Sequence, residues 1–286
     1  MKLLTKIKSL IVFFTLIFYA GVIFARTPLR IVSLAPSITD SLYQLNVEES
    51  LVGVTLYCRL SRRAEIVGTL SNPNMEKVFS LMPDFVFTIR GINRAETIKR
   101  LKDLGVNVVV FNEPETFDDI LTGFIKLGEI VGKKESAEKI ASEISKKVQV
   151  ISEMTKKTDP AKVFFELNKR PLVTASSASF MNEFLKYSGS INIFNDIKIE
   201  HPRVSAEEVL RRNPSAIILV NMGDVSARDK EYWQTFKELS AARNNRIFSV
   251  NANNFCRPTP VSFLNSLREI THLLYPELFA RGEFFE

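Results

Sequence analysis

The chain has little of what metal and thiol chemistry requires. Two cysteines, Cys58 and Cys256, and two histidines, His201 and His272, are spread over 286 residues. That is too few for a usual structural zinc site or for a His-rich site taking free zinc or manganese. No Gly-x-Ser-x-Gly elbow, His-Glu-x-x-His pair or phosphate-binding glycine loop occurs, which removes the local signatures of hydrolase, zinc protease and nucleotide chemistry. The carboxylate pairs Asp118-Asp119 and Glu207-Glu208 are adjacent residues and point apart rather than together. A secreted enzyme with a site assembled from distant positions stays as a lower alternative, and an adhesion or scaffold module as a third. The charge is mild: the formal +6 falls to +3 once Lys2, Lys6 and Lys8 are set aside. Such a balance gives no reason to expect nucleic acid as a partner. Low-complexity segments and Gly/Ser linkers are also absent.

What is present begins with a leader. Lys2, Lys6 and Lys8 precede an uncharged apolar run from Leu10 to Phe24, and Ala25 offers a small residue for cleavage. Residues 1–25 are therefore expected to be a secretory signal peptide, with an uncleaved anchor as the rival reading. No cysteine lies near residue 25, which argues against a lipid anchor. Export permits a disulfide, but Cys58 and Cys256 fall in different halves, so a bridge would tie the halves together and is left open.

A pattern then occurs twice. Met75-Glu76-Lys77-Val78 leads through Pro83 into Phe85-Val86-Phe87, and Ala206-Glu207-Glu208-Val209 leads through Pro214 into Ala216-Ile217-Ile218-Leu219. The copies lie 131 residues apart, from Glu76 to Glu207. This spacing is too wide for a solenoid and suits two similar lobes. Strands are expected at Arg30–Leu34, Leu51–Thr55, Ile66–Gly68, Phe85–Thr88 and Val106–Phe111, with helices between them. A second set runs through Val163–Leu167, Ile217–Val220 and Arg246–Val250, with Trp233 and Phe236 in one helix and Val261–Leu274 closing the chain. Between the sets, Glu135–Lys156 has no Gly or Pro and one apolar stripe through Ala137, Ile144, Val148 and Ile151. The expected fold is α/β: two Rossmann-like lobes with parallel sheets, joined by one long rigid helix, with a ligand cleft between them. The boundaries are 26–132 for the N-terminal lobe, 133–158 for the connecting helix and 159–286 for the C-terminal lobe.

Six stretches carry a resemblance. Ile31-Val32-Ser33-Leu34-Ala35-Pro36-Ser37, Val52-Gly53-Val54-Thr55-Leu56-Tyr57, Asn72-Pro73-Asn74-Met75-Glu76, Ser190-Ile191-Asn192-Ile193-Phe194, Val204-Ser205-Ala206-Glu207 and Arg257-Pro258-Thr259-Pro260 occur in this order, with the long helix between the third and fourth. In this the chain resembles the periplasmic substrate-binding proteins of ABC importers that have a helical backbone, the vitamin B12-binding branch in particular. The resemblance implies a periplasmic monomer that carries cobalamin, or alternatively haem or a ferric siderophore, as cargo and has no resident cofactor. It implies a permease dimer with ATPase subunits as partner, and it makes Glu76 and Glu207 the docking contacts. A helix-start glutamate serving the helix dipole is the bland alternative for each.

Loops after the strands are expected to line the cleft. They supply Tyr57, Cys58, Arg90, His201, Asn253, Phe255 and Arg257 as ligand-binding candidates. Tyr57 and Phe255 are suited to stacking on a macrocycle, and Arg90 and Arg257 to charged or amide groups at its rim. Tyr57 and His201 are candidates for axial contact with the cargo metal. The stretch Arg59-Leu60-Ser61-Arg62-Arg63, with Leu70 and Asn253, departs from the branch and makes the pocket more basic, which favours an anionic cargo.

Overall fold

The computed structural model describes residues 29–221 and 227–279; the expected leader at 1–25 lies outside them. The first half runs β1 (Ile31–Ser33), α1 (Pro36–Gln44), β2 (Leu51–Val54), β3 (Glu65–Ile66), α2 (Met75–Ser80), β4 (Phe85–Ile89), α3 (Ala95–Asp103), β5 (Val108–Phe111) and α4 (Phe117–Ile130). After α5 (Lys134–Thr155) come β6 (Lys162–Glu166), β7 (Asn168–Lys169), β8 (Leu172–Val173), α6 (Met181–Tyr187), β9 (Ile191–Asn192) and α7 (Ala206–Arg212). The chain ends with β10 (Ala216–Asn221), α8 (Ala227–Gln234), α9 (Ser240–Arg243), β11 (Ile247–Asn251), α10 (Ala252–Phe255) and α11 (Pro260–Leu274).

Two parallel sheets result, as the alternation of apolar strands with helices predicts. Their orders are β3-β2-β1-β4-β5 and β11-β10-β6-β9, with every pairing parallel. In each sheet the first strand is central and the chain winds away from it on both sides. The loops leaving the strands' C-terminal ends therefore diverge at that strand and open a crevice.

The doubled glutamate–proline pattern occupies equivalent places in the two sheets. Asn74 caps α2 by accepting from Lys77 N–H at 2.9 Å, and Ser205 caps α7 by accepting from Glu208 N–H at 3.2 Å. The valines two residues after the glutamates, Val78 and Val209, are fully buried. Each helix is followed by a left-handed residue before the proline, Met82 at φ 42 and Asn213 at φ 45. Next, Asp84 accepts the Arg30 N–H at 2.8 Å and Ser215 accepts the Lys162 N–H at 2.9 Å. Each copy thereby pins its outgoing strand beside the first strand of its half.

The long helix reads as the stripe requires. Ala137 near its start belongs to the core of the first half, while Val148 and Ile151 belong to that of the second. Its 22 residues reach about 33 Å. It does not bridge alone. Helix α4 also spans both cores, with Phe117 and Ile120 in the second and Phe124 and Leu127 in the first. A buried carboxylate strengthens this seam, because Glu183 of α6 accepts the Phe117 N–H at 3.1 Å. Phe236 departs from expectation: α8 ends at Gln234, and Phe236 lies in the turn beyond. The two-residue strands β7, β8 and β9 are too short to leave a periodic signal.

Candidate functional site

The loop after β2 carries the most exposed apolar surface of the first crevice. Leu56, Tyr57 and Leu60 are each more than half exposed, with Tyr57 at 56%. Cys58 turns inward between them, packs against the first core and lies 3.1 Å from Thr55 Oγ1. Arg59 stacks its guanidinium 4.1 Å above the Tyr43 ring. After β4, Arg90 is tied by its backbone N–H to Phe111 O at 2.8 Å, and its exposed side chain reaches Asn112 Oδ1 at 3.4 Å. After β5 comes Glu113, whose carboxylate lies against Gly91: a Cβ there would sit 3.0 Å from Glu113 Oε2.

The second half answers with two loops. One carries Ile199, 68% exposed, Glu200 and His201. The His201 ring has Nε2 3.4 Å from Ser179 Oγ and 3.8 Å from Glu200 Oε1. This loop acts electrostatically on Glu113. Burial pushes the Glu113 carboxyl above its ordinary value, the negative Glu200 pushes it further, and His201 works the other way. The other loop follows β11. Here the expected open loop is replaced by α10, started by Asn251, whose side chain accepts the Asn253 N–H at 2.9 Å. Asn253 faces solvent, but the helical turn swings Phe255 into the core. Phe255 is 1% exposed and packs edge-on against Phe184, so its ring has no face for a ligand, contrary to expectation. Arg257 is half-buried, and its positive charge works against the rise that burial gives the Asp40 carboxyl of α1.

The sequence candidates thus separate. Tyr57, Arg90, His201, Asn253 and Arg257 line strand-end loops; Phe255 does not. Cys58 and Cys256 are both free thiols, and burial pushes Cys256 up in pKa. Among the described residues no group of three or more His, Cys, Asp or Glu side chains is arranged to hold a metal ion. Sequence reasoning missed Asp40, whose carboxyl is raised by burial and lowered by Arg257 and Arg59. Arg59 entered it only as part of the stretch Arg59-Leu60-Ser61-Arg62-Arg63 that makes the pocket more basic. The electrostatic link of Asp40 to Arg257, some 200 residues away in the chain, has no local signal.

Glu76 and Glu207 are exposed at the second position of α2 and α7, and neither makes an ion pair among the described residues. Glu207 accepts hydrogen bonds from its own backbone N–H and from Ser205, which hold its carboxyl below the usual value. Its neighbour Glu208 is held down to about 2 by Arg211 and Arg212.

Two doubly wound halves, facing across a crevice and spanned by two helices, define a two-lobed α/β binding protein. The chain belongs to the periplasmic binding protein family, whose model matches residues 31–253. It is 28% identical over 234 residues to the vitamin B12-binding protein of Vibrio cholerae serotype O1, covering 81% of this chain and 84% of that one. It is 29% identical over 263 residues to an uncharacterized ABC transporter substrate-binding lipoprotein of Bacillus subtilis, covering 89% and 82%. Among solved structures, the periplasmic vitamin B12-binding protein of Vibrio cholerae matches with a TM-score of 0.73 at 27% identity, covering 86% of this chain and 96% of that one. The periplasmic haem-binding protein of the same organism shares the fold, with a TM-score of 0.78 at 19% identity over 87% and 100%. No helix among the described residues is long and apolar enough to cross a membrane.

Proposed function

We propose that this protein is the extracytoplasmic receptor of an ABC importer and captures a metal chelate, cobalamin foremost, between its lobes. The observation that carries this reading is exposed apolar surface on both sides of the crevice. Leu56, Tyr57 and Leu60 stand on one side and Ile199 on the other. A cluster of exposed apolar side chains at strand ends offers a surface that a ligand with apolar faces can cover. Cobalamin has such faces, and the relatives named for vitamin B12 binding support it. Haem or a ferric siderophore is the alternative, supported by the basic rim of Arg59, Arg90 and Arg257.

Glu76 and Glu207 are the proposed docking contacts for the permease dimer, which works with its ATPase subunits. Each is an exposed carboxylate, unpaired among the described residues, on a matching helix of a different lobe. That suits bidentate capture by two arginine sites on a two-fold partner. The protein acts as a monomer, exported by a leader at 1–25 that is then removed. Parallel absorbance titrations with cyanocobalamin, haem and a ferric siderophore test the cargo: one of the three saturates at one per chain. Saturation by none would refute the cargo assignment.

A further inference from the structure

Gln44 ends α1 in the first lobe, and the hydrogen bond its side chain makes among the described residues leaves that lobe. Its Nε2 donates to Thr259 Oγ1 of the second lobe at 2.7 Å. Its side-chain oxygen is buried and has no protein partner among the described residues. Ser37, Ser41 and Gln44 stand at i, i+4 and i+7 and so share one stripe of α1. Ser37 and Ser41 line a cavity together with Gly123 of α4 and Pro258 of the second lobe. A Cβ on Gly123 would meet nothing within 4 Å, so α4 leaves this space open. The Pro258–Thr259 segment therefore meets α1 beside an open space, with a directional bond joining the two.

The bond continues into the second lobe. Thr259 caps α11: its Oγ1 accepts the Ser262 N–H at 3.1 Å and its hydroxyl donates to Ser262 Oγ at 3.1 Å. Ser262 Oγ accepts the Thr259 N–H at 2.8 Å and donates to Arg257 O at 2.8 Å. One turn on, Ser266 Oγ donates to Asn254 O at 3.0 Å. The loop after β11, which carries Asn253 and Arg257, is thus held by its carbonyls to α11 and, through Thr259, to α1 of the opposite lobe.

We propose that Gln44 is a positioning residue for cargo binding. Through the chain Gln44–Thr259–Ser262–Arg257, the first lobe holds the second-lobe crevice loop in its binding arrangement before cargo arrives. This rests on the receptor reading above and adds to it a residue that acts on the cargo through others. Ordering the loop in the free receptor removes that cost from the binding step. A residue with this role changes the fraction of receptor that is competent to bind, and with it the association rate. A residue that touches the cargo changes mainly the dissociation rate. A residue that serves only the fold changes neither rate in the folded protein.

Stopped-flow mixing with cyanocobalamin, haem and a ferric siderophore gives both rates, compared for the probe that saturates the wild-type protein. Gln44→Met keeps the side-chain length and the helix propensity but has no N–H to donate. It is expected to lower the association rate by about three- to tenfold and to leave the dissociation rate unchanged. Thr259→Ser keeps the hydroxyl and the cap and is expected to bind as wild type does. Thr259→Val removes both and is expected to slow association, and adding Gln44→Met to it is expected to slow it no further. Wild-type association in Gln44→Met, or faster dissociation with association unchanged, overturns the positioning role and leaves the receptor reading standing. Additive slowing in the double variant does the same. Binding of none of the three probes by the wild-type protein overturns the receptor reading and the positioning role with it.

Discussion

The ring of Phe117 stacks on that of Phe263, with centroids 4.4 Å apart and planes at 25°. Phe117 starts α4, a helix whose later turns pack Phe124 and Leu127 into the first half, and Phe263 belongs to the closing helix of the second. Both are almost fully buried. The lobes are therefore sewn together by core packing as well as by the continuous α5. Phe117→Ala is expected to cost about 3–5 kcal/mol, the usual range for a buried phenylalanine, measured by denaturant unfolding of both variants. Phe79→Ala, at an exposed position, is expected to stay within about 0.5 kcal/mol of wild type.

Tyr57 and Phe255 separate binding from stability. Tyr57→Ala is expected to leave the unfolding midpoint unchanged and to weaken cargo binding by roughly tenfold, since it removes an exposed ring from the crevice. Phe255→Ala is expected to lower stability by about 3–5 kcal/mol, because its ring fills core against Phe184. Calorimetric titration and thermal unfolding of both variants check this crossing of effects.

Glu76→Ala combined with Glu207→Ala is expected to abolish cargo uptake in a reconstituted importer while leaving cargo affinity as in wild type. A fall in affinity would place the two carboxylates in the crevice instead of at the permease.

Glu166 sets a pH dependence. Its buried carboxylate accepts the Trp233 indole N–H at 2.6 Å, and burial raises its pKa above the ordinary 4.5, against the pull of that hydrogen bond. A carboxyl whose folded pKa is raised contributes stability that is fully present below its unfolded value and is lost as pH rises through the folded value. Glu166→Gln keeps an acceptor for Trp233 and removes the titration. The melting temperature of the variant relative to wild type is therefore expected to climb between pH 4 and pH 7. A difference that stays constant over that window would contradict it.

Much of the fold was legible in the sequence because its signals are local. The stripe through Ala137, Val148 and Ile151 marks α5, and buried strands such as Phe85-Val86-Phe87 announce a parallel sheet. The doubled pattern was legible down to the glutamate position, since the Asn74 and Ser205 caps, the left-handed residue and the proline lie within ten residues. The site was legible only where a loop residue has no competing use. Tyr57 stays in water, but the sequence around Phe255 gave no warning that a four-residue helix would turn it inward. Asp40 was hidden for the reverse reason. On α1 it reads as a solvated helix position, and only the tertiary fold half-buries it within electrostatic reach of Arg59 and Arg257.

The most direct measurement is equilibrium dialysis of the mature protein against cyanocobalamin, with recovery of the bound fraction. The expected result is saturation at one corrinoid per chain, with the ligand recovered at its original absorbance spectrum. Absence of saturable binding to cyanocobalamin, or recovery of a chemically altered corrinoid, would contradict a cobalamin receptor.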